Sequence, residues 1–479
     1  MTVAGSPPRA GDRGAARGPL VTPSRVAAAE MLAAMRGGML LDMAFDRVTR
    51  TLDPRDRRWV QELVWGVLRR RAWYDAVLAA RITGGLARLD ADLADLLRLG
   101  VHQLMAMGSV PAYAAIAQTV ELAKRRHGVG ASKLANAVLR RIDREREMPG
   151  VASAEGAAAA LPPDVDATER LAVRTSHPRW LLERWLRRWS REEVEALCAW
   201  DNVEAPVIVR PFGVTVDALR AMLAERDVHA AHAPLVDDAL VLPPGVQLTE
   251  LGPFQRGQLW VQDPGSALVV RWGAFARGTR VADLCAAPGG KTLALLQAGC
   301  DVLAADRSDA RLDRLRDNLA RVQRDDVPVR VLDATEPAID GVDAVLVDVP
   351  CTGTGTLRRH PDARWRLRMS DVAVLPVMQR DILRGAASAV RPGGMLLYST
   401  CSLETEENDD VVASFLAAHP DFVLEAAPDA AVPDAVRDVL RPTPGLPGAD
   451  GIAGSVLRVL PQRHGADGAF AARLRKRGG

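Results

Sequence analysis

Two cysteines of this chain stand where a thiol could do covalent chemistry. Cys351 lies in Asp348-Val349-Pro350-Cys351-Thr352-Gly353 and Cys401 in Ser399-Thr400-Cys401-Ser402, each directly after an apolar run that reads as a buried strand. A lone buried cysteine is often no more than a small hydrophobe, but two thiols at matching strand ends call for a shared chemical task. Substitution at carbon 5 of cytosine is one reaction that needs such a pair. That carbon is a poor nucleophile until a thiolate adds to carbon 6 and makes the ring enamine-like. A base must afterwards take the carbon 5 proton so that the thiolate can leave. Asp348 could bind the N3 and N4 edge of the ring and stabilise the protonated adduct. The residue types and spacing leave open which thiol attacks.

A second group of residues reads as a cofactor pocket. The run ending at Asp283 passes into Cys285-Ala286-Ala287-Pro288-Gly289-Gly290-Lys291-Thr292. The paired glycines let backbone approach a ligand, and the helix start that follows offers free N–H groups. Asp306 ends the next apolar run roughly twenty residues on, where a carboxylate can accept from both hydroxyls of a ribose. The loop carries neither GxGxxG nor GxxxxGK[ST], so a nucleoside with a non-phosphate tail is the expected ligand. Asp333, after the third run, could reach an adenine amino group or equally cap its own loop.

These residues need a frame that brings them to one edge. From Arg280 onward short apolar runs alternate with amphipathic helices, the pattern of a parallel, doubly wound α/β sheet. Ligands bind such sheets at the carboxyl ends of the strands, where every residue named above would lie. SVLRVLP, ending at Pro461, is expected to close the sheet as an edge strand. Upstream, apolar residues from Pro23 to about Arg144 recur at helical spacing, which predicts an all-helical domain. A segment rich in Pro, Gly and Ala from Pro149 to Ala167 reads as a linker. His177 to Asn202, with Trp185 and Trp189 one turn apart, reads as one helix buried by its Trp face.

At 479 residues the chain exceeds one hydrophobic core and predicts roughly two to four domains. The expected divisions are a disordered tail over 1–22, a helical domain over 23–147, a linker over 148–168, an α+β region over 169–260, the α/β domain over 261–464 and a tail over 465–479. With a net charge of only +2, global charge does not argue for nucleic acid, though arginine clusters such as Arg55 to Arg58 permit it. Arg358, Arg359 and Arg364 follow the Cys351 loop and could hold phosphates. The five cysteines include no CxxC pair and no His at metal spacing, so free thiols in a reducing cytoplasm are expected and a metal is not. No apolar run approaches a membrane span.

The segments DLCAAPGGKT (from Asp283), DVPCTGTGTLRRHPDARW (from Asp348) and STCSLETEEN (from Ser399), with Asp306 between them, together resemble the NOL1/NOP2/Sun-type RNA 5-methylcytosine methyltransferases. The helical segment, through DRRWVQELVWGVLRRR and LLRLGVHQLMAM, resembles the NusB RNA-binding fold. The resemblance covers about Pro23 to Leu474 and is similar overall to bacterial 16S ribosomal RNA cytosine methyltransferases. It implies a NusB-like all-α domain, a small α+β middle region and a Rossmann-like methyltransferase domain. It further implies that Cys285 to Lys291, Asp306, Asp333 and Asp348 surround S-adenosylmethionine, that Cys401 is the nucleophile and that Cys351 helps release the product. The implied partner is 16S ribosomal RNA, bound by a monomer in the cytoplasm. Thr405 and Val349 depart from the family's usual Pro and Ala, and neither is a reacting group. Transfer RNA as substrate, and a NusB-like binding protein with an inactive catalytic fold, are the competing readings.

Overall fold

The computed structural model describes residues 21–339, 341–446 and 454–478. All but the last two residues of the tail expected over 1–22 lie outside them. The chain divides into two compact units, up to Arg179 and from Trp180.

The first unit is helical. Its main helices are Pro23–Arg36, Leu41–Thr49, Pro54–Arg69, Arg71–Ala79, Ala91–Ala106 and Ala112–Glu145. Asp53 starts the third by accepting from the N–H groups of Arg55 and Asp56, with Pro54 at the first helical position. Leu63, Val64, Val67, Leu96, Leu97, Leu139 and Ile142 are buried, each worth roughly 1.5–3 kcal/mol of transfer free energy. Two helices meet closely at Gly100, where a β-carbon would lie 3.0 Å from the Leu139 side chain. The segment expected as a linker instead forms short helices at Pro149–Ala152 and Ala154–Ala159, because Val151, Ala157 and Ala158 find apolar cover.

The second unit begins with the α+β region, whose strands are β1 (Ile208–Pro211), β2 (Ala231–His232), β3 (Leu240–Val241) and β4 (Leu259–Val261). They form an antiparallel sheet in the order β2-β3-β1-β4. Leu219 and Leu223 of helix Val216–Ala224 pack with Val209, Leu240 and Leu259 in one core.

The remaining strands are β5 (Arg280–Asp283), β6 (Asp301–Asp306), β7 (Val329–Val331), β8 (Val342–Asp348), β9 (Val390–Thr400), β10 (Phe422–Glu425), β11 (Arg437–Val439), β12 (Ser455–Val459) and β13 (Ala469–Lys476). The sheet runs β11-β12-β13-β9-β8-β5-β6-β7, with β10 also on β13. Strands β9, β8, β5, β6 and β7 are parallel, as their intervening helices require. Alternate residues bury on opposite faces, Val281, Leu346 and Leu397 on one and Ala282, Val345 and Leu396 on the other.

Three further expectations differ from the structure. SVLRVLP is an inner strand, β12, because β11 pairs outside it. Residues 465–479 are not a tail, since β13 pairs antiparallel with β9 and buries Phe470, Ala472 and Leu474. The Trp-faced helix is two helices, Arg179–Trp185 and Arg191–Asn202, because Ser190 starts the second by accepting from the Glu193 N–H at 3.3 Å.

Candidate active site

Strands β5, β6, β8 and β9 all end at one edge of the sheet, and their last residues build the site. Asp283 is buried at the end of β5, where its Oδ2 accepts from the Thr292 hydroxyl at 2.7 Å and its Oδ1 has no hydrogen-bond partner. Burial pushes its carboxyl up to about 7, against that hydrogen bond. The Ala286-to-Gly290 loop is fixed through its carbonyls. Arg311 donates to Ala287, Asn318 to Pro288 and Gln262 to Gly290, at 2.9, 2.9 and 3.0 Å. Gly289 is required, because its φ is +109° and a β-carbon would lie 2.6 Å from Leu315 Cδ1.

A cleft opens beside this loop, lined by Cys285, Asp306, Asp333, Pro350, Met378 and Ile382 among others. Asp306 is buried, and its Oδ1 accepts from the Ser308 N–H at 3.0 Å. Its Oδ2 has no hydrogen-bond partner, and Arg311 lies 3.3 Å away. An open acceptor at the end of the second parallel strand fits a ribose hydroxyl, so the residues present suit a nucleoside cofactor. Asp333 lines the cleft and also caps its own turn. Hydrogen bonds from the Thr335 N–H and hydroxyl hold its carboxyl below the usual range. Burial pushes the Cys285 thiol well up.

The two cysteines meet. Register pairs Asp348 on β8 with Ser399 on β9, so the loops that follow run side by side and Cys351 Sγ lies 3.4 Å from Cys401 Sγ. The hydrogen bond with Cys401, reinforced by burial, pushes the Cys351 thiol well above the usual cysteine range. Asp348 accepts from Lys291 Nζ at 2.7 Å and from the Ser399 hydroxyl at 2.8 Å. Burial works against the Lys291 ammonium, but attraction from Asp348 outweighs it and the pKa is raised. Lys291 and Asp348 therefore stand with the cysteines. Cys285, Asp306 and Asp333 line the cleft, and Ala286 to Gly290 form the loop beside it.

Of the arginines expected to hold phosphates, two serve the fold instead. Arg364 is fully buried and donates to Asn202 Oδ1 and the Asp201 carbonyl at 2.7 and 3.0 Å. Arg359 pairs with Asp263 at 2.8 Å and with Asp467. Arg358 lies over the Trp200 ring. Both acidic partners are distant in sequence, so spacing gave no sign of them.

The sequence reading missed Glu407. Its buried carboxylate accepts from the Thr352 N–H and Gln379 Nε2 at 2.9 Å each, and from the hydroxyls of Thr352 and Ser402. Its place in STCSLETEEN, close after Cys401, was the available signal. Among the described residues no cluster of His, Cys, Asp or Glu could hold a metal, and no helix is long and apolar enough to cross a membrane.

The doubly wound sheet, with a cleft at the carboxyl ends of its parallel strands, has the Rossmann-like fold of methyltransferases. Comparison with known proteins narrows this. Residues 274–475 match the family described as 16S rRNA methyltransferase RsmB/F, 22–144 the NusB family and 177–249 the RsmF/B-like ferredoxin-like domain. The ribosomal RNA small subunit methyltransferase B of Pseudomonas putida is 36% identical over 406 residues, which span 83% of this chain and 89% of that protein. The chain belongs to this RsmB/F methyltransferase family. In fold it is similar to the crystal structure of PH0851, with TM-score 0.75 at 24% identity over 96% of this chain and all of that one. It is also similar to NSun6 from Pyrococcus horikoshii, solved with SFG, with TM-score 0.51 at 21% identity over 62% of this chain and 98% of that one.

Proposed function

We propose that this chain transfers a methyl group from S-adenosylmethionine to carbon 5 of a cytosine in 16S ribosomal RNA, through a covalent bond between Cys401 and carbon 6. The observation that carries the reading is the 3.4 Å approach of two thiols beside the Lys291–Asp348 pair. Cys285 to Lys291, Asp306, Asp333 and Asp348 would hold the cofactor. When bound, it supplies an electrophilic methyl group.

In this reading Cys401 attacks as a thiolate, with the Cys351 thiol, raised well above the usual cysteine range, 3.4 Å from its sulfur. The Cys401 sulfur bonds to carbon 6 and the ring electrons move to carbon 5. Asp348, oriented by Lys291 and Ser399, binds the N3 and N4 edge as N3 takes a proton from solvent, which returns to solvent when Cys401 leaves. With Cys401 consumed in the adduct, Cys351 sheds its proton to solvent. Its thiolate then takes the carbon 5 proton, the double bond re-forms and Cys401 leaves as thiolate, which restores the starting pair. The target cytosine must be single-stranded or flipped out of its stack to reach these thiols. The enzyme acts as a cytoplasmic monomer in this reading.

The test is methyl transfer from labelled S-adenosylmethionine to unmodified 16S and transfer RNAs, with the product nucleoside identified and mapped. Label as 5-methylcytosine at one 16S position is the expected result. Label only in transfer RNA would overturn the substrate, and no label on RNA or on small subunits, with no cofactor binding, would overturn the reaction.

A further inference from the structure

We propose that Glu407 is a positioning residue for this reaction, a clamp that holds the Cys351 loop against the Cys401 loop so that attack and release act on one base. The inference rests on the function proposed above.

Each carboxylate oxygen of Glu407 accepts two hydrogen bonds. One takes the Thr352 N–H and Gln379 Nε2, the other the Thr352 and Ser402 hydroxyls. A carboxylate has about four acceptor positions, so its whole capacity is used. Thr352 follows Cys351 and Ser402 follows Cys401, so one side chain grips the neighbour of each thiol. Gln379, from helix Met369–Ser388, also donates to the Pro350 carbonyl at 2.9 Å, which braces the Cys351 loop from its other side. Glu407 is in turn fixed by the Tyr398 hydroxyl, which donates to its carbonyl at 2.5 Å.

Burying a carboxylate among neutral donors is costly, and burial raises its pKa against those bonds. An apolar side chain of similar size would avoid that cost only if the carboxylate's four donors were replaced as well. The Gly355 N–H also donates to the Cys401 carbonyl at 2.9 Å, and to that bridge between the loops the carboxylate adds a four-way junction at the residues next to the two thiols. Its location, one residue from each of two groups that must work at adjacent carbons, matches a need for fixed separation. The 3.4 Å between the sulfurs is the distance so fixed.

The experiment compares Glu407→Gln, Glu407→Asp and Gln379→Ala with the wild type in the full-length chain. It follows single-turnover methylation of 16S RNA and the covalent protein-RNA adduct on denaturing gels. Misplacing Cys351 by about an ångström should slow release roughly tenfold to a hundredfold, leave KM for RNA unchanged and raise the ratio of adduct to product. Glu407→Asp should restore part of the rate. A purely structural role would lower the folded fraction without changing that ratio. If Glu407→Gln does not fold, Gln379→Ala carries the test with a smaller effect of the same sign. A wild-type ratio in the folded variants overturns the clamp. If wild type yields no product and Cys351→Ala no adduct, the proposed reaction itself has failed.

Discussion

Asp306→Asn should move cofactor affinity and stability in opposite directions. In the ligand-free chain the buried Asp306 carboxylate has one oxygen without a hydrogen bond. A buried unsatisfied group costs about 1–3 kcal/mol. The ion pair with Arg311, whose side chain is 54% exposed, returns at most about 1 kcal/mol. Replacing the anion by a neutral amide should therefore stabilise the empty protein by about 1 kcal/mol, or roughly 2–4 °C in Tm. Hydrogen bonds from ribose to a carboxylate are worth about 1.5–3 kcal/mol, so Kd for S-adenosylmethionine should rise roughly 10- to 150-fold. Isothermal titration gives the affinity, and thermal melting with and without the cofactor gives the stability. An unchanged Kd, or a Tm that falls by several degrees in the empty variant, would refute the assignment of this carboxylate to the ligand.

Cys401→Ala should abolish methylation with the melting curve unchanged, whereas Cys351→Ala should trap a protein-RNA adduct that survives a denaturing gel. An adduct with Cys401→Ala instead would reverse the two roles. Asp283, raised to about 7 by burial, binds its proton more tightly when folded than unfolded. Its contribution to stability is thus present at low pH and lost as pH climbs from about 4 to about 7. The stability of Asp283→Asn relative to wild type, from urea midpoints across that window, should rise with pH, and a flat difference would argue against it. Arg364→Met leaves the buried Asp201 carboxyl, itself raised to about 7 by burial, without its neighbouring cation. It should cost about 3–5 kcal/mol in urea unfolding, and any folded protein should bind RNA as wild type does in a filter assay. Weaker RNA binding at full stability would restore Arg364 as a phosphate contact.

Local pattern made the strand ends legible, because a fully apolar run followed by Pro, Gly or Cys marks both a parallel strand and its ligand edge. Asp283, Asp306 and Asp348 could be assigned to that edge on this ground alone. What pattern could not supply was partnership across the sheet. The contact of Lys291 with Asp348 and that of Cys351 with Cys401 depend on the neighbour order β9-β8-β5, which no local window carries. Strand β13 was read as a tail for the same reason. AFAARLRK has a weak alternation and a basic end, and only antiparallel pairing with β9 makes it a strand. The break after Trp185 was legible and overlooked, since Ser190 followed three residues later by Glu193 is a helix-start signature.

The charges at this edge constrain where the RNA is held. Asp283, Asp306 and Asp348 end three neighbouring strands and Glu407 lies behind the cysteines, while Lys291 is committed to Asp348. Such an edge attracts a cationic ligand and repels a polyanion. Of the basic residues next to it, Arg359 and Arg364 are turned inward on Asp263, Asp467 and the Asp201 carbonyl, whereas Arg307 and Arg311 line the cleft beside Asp306. On the function proposed above, affinity for RNA is expected to come from phosphate contacts made by arginines other than Arg359 and Arg364. Neutralising Asp306 or Asp348 should accordingly leave the salt dependence of RNA binding unchanged, since neither carboxylate displaces counterions from the backbone. A steeper slope in either variant would mean that phosphates do pass over this edge.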